Sequence, residues 1–319
     1  MVRSGKCEPF GAASGFPLFV DGEPVLRAPE RSPFALFGRP RIRLIPCFVL
    51  VTRRRVVCMV KLVIVGGGKM GEALLGGLLA SGWASAEDVV VVEPDAGRAA
   101  LVRSTFGTVV TPSILFDHAD GALIAVKPQM VAAVCGELSG RVDRVLSIAA
   151  GCTLSFMEHA LGDATPVVRS MPNTPSLVGA GASAIAGGTH VTETDMAWAT
   201  EILGAVGVVE RVDEKLLDVV TGLSGSGPAY IFLVAEALVD GAVAQGLPRP
   251  VAVTLAHQTI FGAGRLLLES GDQAAVLRAN VTSPGGTTAA GLRALESAGV
   301  RSAFIEAVAA ATERAHDLA

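Results

Sequence analysis

Aromatic side chains and charges are both scarce in this sequence. Aromatic residues make up 5% of the 319 residues and charged residues 18%, whereas hydrophobic residues make up 50% and the mean hydropathy is +0.52. The low aromatic content and the 37 glycines favour close helix–sheet packing in an α/β protein over an all-β fold. So few charges in so apolar a chain also indicate two domains or a large subunit interface.

No disulfide or metal-ligand spacing is present. The five cysteines include no CxxC pair, and the five histidines are equally dispersed. This pattern excludes a disulfide framework and a zinc site, and it indicates a reducing, cytoplasmic compartment. The net charge of −4 gives no reason to expect nucleic acid or an anionic membrane as a partner. No apolar run approaches the roughly 18 residues of a membrane span.

Residues 1–58 differ in composition from the rest of the chain. They hold ten of the 26 Lys and Arg residues against four acidic residues, a net charge of +6 that leaves −10 for the remainder. A signal peptide would place its basic residues before its apolar core, whereas Arg53–Arg55 follow the short apolar run Leu44–Val51. We expect a disordered extension, or a start codon assigned too early with Met59 as the working start.

A strand, a glycine-rich turn and a helix follow one another after this extension. The pattern predicts a buried strand at Lys61–Val65 and a helix at Glu72–Ser81. Between them the chain has the form G-x-G-x-x-G, and a second strand ends at Glu93, an acid 22 positions after the last glycine. Glycines permit the tight turn and bring a pyrophosphate against N–H groups at the helix start. The sequence therefore predicts a Rossmann domain whose cofactor contacts include Gly66, Gly67, Gly68, Lys69, Met70, Gly71 and Glu93.

Two later loops are expected beside the same cofactor. A strand at Ala122–Val126 stops at Lys127 and Pro128, and the carboxyl ends of such strands face the ligand crevice. Lys127 lies either beside the cofactor or as a solvated lysine on the loop. A stiff loop with two prolines follows the strand near Val168, and we expect it at the nicotinamide end. The predicted contacts on these loops are Ala125, Val126, Lys127, Pro128, Met171, Pro172 and Asn173.

Strand signals end near Asp213, and helical signals follow. Ala182–Ala186 and Val206–Val212 are predicted as edge strands, and Leu223–Ala229 as a glycine-rich hinge into a long helix. The sequence therefore divides into an extension at 1–58, a dinucleotide-binding domain at 59–221 and an all-helical domain at 222–319.

The turn from Val281 to Thr288 carries a proline, two glycines and four hydroxyls just before a helix start. Free N–H groups and the positive end of a helix dipole suit a carboxylate or phosphate, and Ser/Thr hydroxyls add adjustable donors. An ordinary inter-helix turn with a Ser/Thr cap is the alternative interpretation.

These blocks resemble the pyrroline-5-carboxylate reductases. The resemblance runs from about Met59 to the C-terminus and is most specific in the Val281–Thr288 turn. It implies an N-terminal Rossmann domain and an all-α C-terminal dimerisation domain, of the 6-phosphogluconate-dehydrogenase-like type. It also implies homodimers, often gathered into decamers. Further blocks that carry it are Ala125-Val126-Lys127-Pro128, Arg169–Pro175 and Ser224–Tyr230.

The resemblance further implies a reaction and its site. Hydride passes from NADPH or NADH to the imine carbon of 1-pyrroline-5-carboxylate, which is C5 of the product L-proline, and no metal takes part. Ser283, Gly286, Thr287 and Thr288 are implied as substrate contacts, with Thr288 as the residue that hydrogen-bonds the ring nitrogen. Glu93 stands where NADPH-preferring relatives have a small polar residue, which favours NADH, although Arg98 is near enough in sequence to meet a 2′-phosphate.

Three other functions compete with this interpretation. A β-hydroxyacid dehydrogenase needs a lysine on the helix after the glycine-rich hinge, and residues 230–245 contain none. A ketol-acid reductoisomerase needs paired carboxylates for magnesium, and Glu236 and Asp240 have the i, i+4 spacing of one helix face. A non-catalytic nucleotide sensor would keep the glycine motif but would have no use for Ser283–Thr288.

Overall fold

A mostly parallel sheet is the framework of the first two thirds of the described chain. The computed structural model describes residues 60–162 and 164–318, so the predicted extension at 1–58 lies outside the described residues. The strands are β1 (Leu62–Val65), β2 (Val89–Val92), β3 (Val109–Thr111), β4 (Ala122–Ile124), β5 (Val145–Ser147), β6 (Val167–Met171), β7 (Gly181–Gly187) and β8 (Gly207–Arg211). Their order is β3-β2-β1-β4-β5-β6-β7-β8, and every neighbouring pair is parallel except β6 with β7.

Helices cover both faces of this sheet and then continue alone. Those within the sheet region are α1 (Lys69–Ala80), α2 (Ala96–Phe106), α3 (Val131–Leu138), α4 (Leu154–Leu161) and α5 (Glu193–Gly204). Those after β8 are α6 (Leu217–Val220), α7 (Gly227–Ala244), α8 (Arg249–Glu269), α9 (Ala274–Asn280), α10 (Thr287–Ser297) and α11 (Val300–Asp317). Short 3₁₀ turns lie at Pro128–Met130, Thr174–Val178 and Glu214–Leu216. The alternating strands and helices form the predicted Rossmann-type α/β architecture, and the helical C-terminal part follows it.

The alternation of side chains along β1 distributes the core between two layers. Val63 and Val65 pack into the cluster with α3 and α4, whereas Leu62 and Ile64 pack into the cluster with α1 and α5. Successive side chains of a strand point to opposite faces, so a strand buried on both faces reads as a continuous apolar run. This is why Lys61–Val65 contains no polar alternation.

Local capping determines where several sheet-region helices begin and end. The Asp95 carboxylate accepts the N–H of Arg98 at 2.7 Å at the start of α2, and Gly107 ends that helix in the left-handed region with φ 70°. Thr192 and Asp195 form a reciprocal capping box at the start of α5. These bonds satisfy N–H groups that have no intrahelical acceptor.

The helices after β8 bury little of their apolar surface within one chain. The cluster between α7 and α8 has only three fully buried members, Val239, Ala252 and Ala256. Phe232 and Leu233 on α7 are 63% and 66% exposed, and Leu268 on α8 is 86% exposed. A continuous apolar surface of this kind marks an interaction site.

The sequence has no uninterrupted apolar run of membrane-span length, but a helical segment can meet the length and mean-hydropathy criteria of a span even when polar residues interrupt it. Two helical segments of the described chain, Glu214–Ala244 and Arg249–Glu269, meet both criteria. Glycine and single polar residues interrupt them, so no uninterrupted apolar run is visible in the sequence. Core or interface helices of a protein without a membrane pass the same criteria, so this finding by itself does not assign a membrane.

Three expected elements differ from the structure. The predicted hinge at Leu223–Ala229 is instead a π-helical turn, Thr221–Gly225, which runs directly into α7. The strand predicted as an edge at Ala182–Ala186 is β7, which is interior because it pairs with both β6 and β8. The first helix begins at Lys69 rather than Glu72, since Gly68 already has the extended backbone of an N-cap.

Candidate functional site

Two positions of the glycine loop cannot accept a side chain. Gly66 has φ +107°, and a Cβ there would lie 2.5 Å from the carbonyl oxygen of Ala125. A Cβ on Gly71 would lie 2.2 Å from the carbonyl oxygen of Gly66. These glycines let the loop turn tightly against β4 and let α1 pack close behind it.

Gly68 faces open space and fits a ligand. No atom lies within 4 Å of the position that its Cβ would occupy, and Gly68 and Lys69 are both exposed. Gly68 is the N-cap of α1, whose first N–H groups have no acceptor within the helix. Open backbone at a helix N-terminus is the geometry that holds a pyrophosphate, so the loop fits the predicted dinucleotide. Met70 packs against the core below and holds the loop in place.

The acid at the end of β2 is held by two backbone N–H groups. The Glu93 carboxylate accepts the N–H of Gly67 at 2.9 Å on Oε2 and the N–H of Asp95 at 2.9 Å on Oε1. A carboxylate has about four lone-pair positions, so each oxygen keeps one for a further donor. Glu93 is thus directed over the glycine loop, where a ribose hydroxyl can donate to it.

Arg98, in the first turn of α2, contacts the glycine loop and is already paired. Its Nε donates to the carbonyl oxygen of Gly67, and its Nη2 donates to Oε2 of Glu72 on α1. Sequence reasoning named Arg98 as a group that reaches a phosphate but did not identify Glu72. Only the fold shows that the two are partners, because they are 26 positions apart.

The end of β4 lies beside the glycine loop, as predicted. The N–H of Ala125 donates to the carbonyl oxygen of Val65 at 2.8 Å, which holds the two strand ends together. Ala125 and Val126 are half-buried, whereas Lys127 is exposed and serves as the N-cap of the turn Pro128–Met130. Proline at the first position suits that turn because its missing N–H needs no acceptor.

A cavity of about 530 Å³ opens at the carboxyl ends of β4, β5 and β6. Residues from three parallel strand ends line one side, and α6 and the end of α11 line the other. The strand-end lining includes Pro128, Ala150, Cys152, Ser170 and Met171. A crevice outside the carboxyl ends of parallel strands is the general ligand site of such sheets.

Arg169 joins this cavity to the helical part of the chain. Its side chain is 8% exposed, and Nη1 lies 2.9 Å from Glu214 Oε1 while Nη2 lies 3.8 Å from Asp218 Oδ1. Glu214 also accepts the N–H of Leu154 at 2.7 Å, at the start of α4. Sequence reasoning missed this cluster. The one feature of the local sequence that could have indicated this cluster is the arginine within the buried strand β6.

The predicted loop after β6 is fixed mainly by Asn173. Its Nδ2 donates to the carbonyl oxygen of Ser224 at 3.0 Å, and its Oδ1 accepts the N–H of Ala182 at 2.8 Å. Pro172 is buried beside it, and Met171 is half-buried and lines the cavity. The Asn173 side chain therefore holds the loop against β7 and the π-helical turn, and among these three residues Met171 faces the cavity.

The turn before α10 is exposed in a single chain. Gly285 has φ +69°, and the N–H of Gly286 donates to the carbonyl oxygen of Ser283 at 3.0 Å. Gly286 caps α10 without a side-chain hydrogen bond, and Ser283, Thr287 and Thr288 are exposed. None of these described residues lines the cavity at the strand ends. One chain therefore does not bring the predicted substrate contacts to the predicted cofactor contacts.

Two buried cysteines and one acidic pair are the remaining candidate groups among the described residues. Burial, together with neighbouring Cys152, raises the pKa of Cys135 to about 11. Burial also raises the pKa of Cys152, against the opposing positive charge of Arg169. Of the two carboxylates considered for magnesium, Glu236 and Asp240, the second forms an ion pair with Arg249 at 2.8 Å. Within residues 60–162 and 164–318, no group of three or more His, Cys, Asp or Glu side chains has a metal-binding arrangement.

Two family models match the chain. The model described as pyrroline-5-carboxylate reductase dimerisation matches residues 214–318, and the model described as NADP oxidoreductase coenzyme F420-dependent matches residues 61–151. The first covers the helices after β8, and the second covers the glycine loop and the ends of β4 and β5.

Similar proteins match nearly their whole length. The pyrroline-5-carboxylate reductase of Synechocystis is 44% identical over 267 residues, which is 81% of this chain and 98% of the relative. A solved pyrroline-5-carboxylate reductase from Coxiella burnetii has a TM-score of 0.78 at 37% identity, covering 82% of this chain and 99% of that one. The Plasmodium falciparum pyrroline carboxylate reductase, solved with NADP bound, has a TM-score of 0.72 at 31% identity, covering 82% and 99%.

Proposed function

The chain belongs to the pyrroline-5-carboxylate reductase family and reduces 1-pyrroline-5-carboxylate to L-proline with NAD(P)H, the last step of proline biosynthesis, and we propose which of its residues carry that reaction. The observation that supports the assignment best is the glycine loop. The loop lies against the end of β4 at Ala125, and Pro128 just after that strand lines the cavity at three strand ends. A dinucleotide laid over Gly66–Gly71 directs its nicotinamide toward that cavity.

We propose the cofactor contacts as follows. The pyrophosphate lies on the α1 N-terminus, the adenosine ribose donates to Glu93, and the strand end after β4 and Met171 flank the nicotinamide. The contacts are Gly66, Gly67, Gly68, Lys69, Met70, Gly71, Glu93, Ala125, Val126, Lys127, Pro128, Met171, Pro172 and Asn173, with Pro172 and Asn173 acting through the position of Met171.

The substrate site is proposed on the turn before α10. Ser283, Gly286 and Thr287 present hydroxyl and N–H donors to the carboxylate at a helix N-terminus. Thr288 hydrogen-bonds the ring nitrogen. When bound, the reduced nicotinamide supplies hydride to the imine carbon. The imine nitrogen is basic enough to be protonated near neutral pH, so the chain needs no dedicated acid and acts by positioning and excluding water.

A homo-oligomer completes this site in our proposal. The chain assembles through its helical dimerisation domain. We propose that 222–319 is that domain and 59–221 the nucleotide domain, and that a second copy covers α7 and α8. Each protomer would then bring its exposed Ser283–Thr288 turn to the cavity of its partner, because the turn does not line the cavity within one chain.

The absence of disulfide patterns and the buried free thiols of Cys135 and Cys152 support a cytoplasmic location.

We expect dimers that associate into decamers, which light scattering on the full chain tests. A decamer has ten times the 32.6 kDa mass of one chain. Leu233→Asp is expected to dissociate the assembly, because it places a charge in an apolar interface. Val178→Asp is the matched control, since Val178 is 81% exposed but lies outside the helical part. An unchanged mass for Leu233→Asp, or the same loss for both variants, contradicts the proposed interface.

NADH is the proposed cofactor, because the Glu93 carboxylate accepts a 2′-hydroxyl and repels a 2′-phosphate. The test measures oxidation of NADH and of NADPH by the full chain, each with and without 1-pyrroline-5-carboxylate. We expect imine-dependent oxidation with a higher kcat/KM for NADH. Glu93→Ser is expected to raise kcat/KM for NADPH about tenfold, since it removes a like charge beside the phosphate. A higher kcat/KM for NADPH in the parent, or no change in Glu93→Ser, would contradict the role of Glu93.

A further inference from the structure

We infer that Glu72, on the first turn of α1, is a second determinant of nucleotide choice, because it holds Arg98 against the glycine loop and neutralises it. The inference rests on the proposed position of the adenosine ribose at Glu93. It concerns a residue outside the glycine motif and outside the end of β2, the two places where sequence patterns locate nucleotide specificity.

Arg98 is held in place by three contacts. Its own N–H donates to Asp95 Oδ1 at 2.7 Å, which fixes its backbone at the start of α2. Its Nε donates to the Gly67 carbonyl oxygen, and its Nη2 donates to Glu72 Oε2. The Arg98 and Glu72 side chains are only 24% and 28% exposed, so solvent screens this pair less than an open surface pair.

Gly67 connects this pair to the specificity acid. Its N–H donates to Glu93 Oε2 at 2.9 Å, while its carbonyl oxygen accepts from Arg98. One loop residue therefore separates Arg98 from the carboxylate that we assign to the ribose. The guanidinium lies within reach of the same ribose, where it is the one nearby cation among the residues of this hydrogen-bond cluster.

The net charge of that cluster affects whether a nucleotide with a 2′-hydroxyl or one with a 2′-phosphate binds more tightly. Glu72, Glu93 and Asp95 contribute three carboxylates and Arg98 one guanidinium, a net charge of −2. A 2′-phosphate adds roughly two more negative charges. Arginine binds phosphate well through its two-pronged donors, but Glu72 already occupies one of the prongs. With Glu72 neutral, the net charge of the cluster changes from −2 to −1 and no carboxylate is bonded to the guanidinium of the arginine.

The experiment compares Glu72→Gln with the parent and with two further variants. Glutamine keeps a hydrogen-bond acceptor for Arg98 and removes only the charge. Glu72→Gln combined with Arg98→Gln tests whether Arg98 mediates the effect. Glu193→Gln is the matched control, because it neutralises a glutamate paired with Arg211 at 2.6 Å on α5 and β8, away from the glycine loop.

Two readouts are measured on the full chain. One is the ratio of kcat/KM for NADPH to that for NADH. The other is the Kd of adenosine 2′,5′-bisphosphate relative to 5′-AMP, measured by calorimetry, which reports the adenosine end without turnover. We expect Glu72→Gln to shift both ratios about fivefold toward the 2′-phosphate, the size of a partly buried ion pair, and Glu193→Gln to leave them unchanged.

The outcomes separate this inference from the proposed function. Unchanged ratios in Glu72→Gln, or a shift that persists when Arg98 is also replaced, overturn the role of Glu72. A shift in Glu72→Gln without any effect of Glu93→Ser supports Glu72 and rejects Glu93 as the determinant. Nucleotide binding that shifts as expected in a chain without imine-dependent turnover supports Glu72 and rejects the proposed catalytic residues.

Discussion

Replacing Thr288 with alanine is expected to lower kcat/KM for 1-pyrroline-5-carboxylate by about 100-fold, while the Kd of the nucleotide stays within about twofold of the parent value. Removing one donor at a reacting centre has an effect of this size. We propose that the glycine loop and the strand ends bind the nucleotide, so its affinity should not depend on this hydroxyl. Steady-state kinetics and calorimetric nucleotide binding measure the two effects separately.

A purely structural role of Thr288 makes a different prediction. Gly286 already caps α10 without any side-chain bond, so the helix start does not depend on a hydroxyl at this turn. Thr282→Ala is the matched control in the same turn, because Thr282 Oγ1 donates to the carbonyl oxygen of Arg278 at 2.6 Å and is thereby satisfied by the last turn of α9. Thr288→Ser keeps the hydroxyl and should recover most of the activity. Equal losses in Thr282→Ala and Thr288→Ala, or no loss in either, would remove Thr288 from the chemistry.

Replacing either of two glycines in the loop with alanine is expected to weaken nucleotide binding, but only one of the two replacements should lower the stability of the fold. Gly71→Ala should lower the free energy of unfolding by about 3 kcal/mol, because its Cβ would lie 2.2 Å from the Gly66 carbonyl oxygen in a buried position. Nucleotide binding should weaken with it, since the loop must move to relieve the overlap. Chemical denaturation and nucleotide titration measure these effects.

Gly68→Ala is the control for that substitution. Its Cβ meets no atom within 4 Å in the ligand-free chain, so the free energy of unfolding should change by less than about 1 kcal/mol. The same methyl group would occupy the space where we propose the pyrophosphate, so nucleotide affinity should fall at least about tenfold. Tight nucleotide binding by Gly68→Ala would show that the pyrophosphate lies elsewhere, and a stable Gly71→Ala would show that the loop relaxes without loss.

Local backbone rules made the nucleotide half readable from the residues. A buried apolar strand and glycines at fixed spacing specify a tight turn into a helix within a few residues, and an acid 22 positions later marks the end of the next strand. The structure confirms the strand–loop–helix unit, the position of Pro128 at the start of its turn and the helical run after Asp213. The specific hydroxyl-rich turn before α10 was also visible, because it lies within eight consecutive residues.

The sequence by itself thus determined the α/β class, the glycine loop and the Val281–Thr288 turn that resembles the family, since steric and capping rules act over a few residues. Only the tertiary structure decided which distant residues pair. Arg169 meets Glu214 across 45 positions, and Arg98 meets Glu72 across 26. It also decided that β7 is interior, that the expected hinge is a π-helical turn and that the proposed substrate turn is exposed in one chain. These features depend on which elements pack together, and that packing is a balance of burial and charge over the whole chain rather than a property of any short segment.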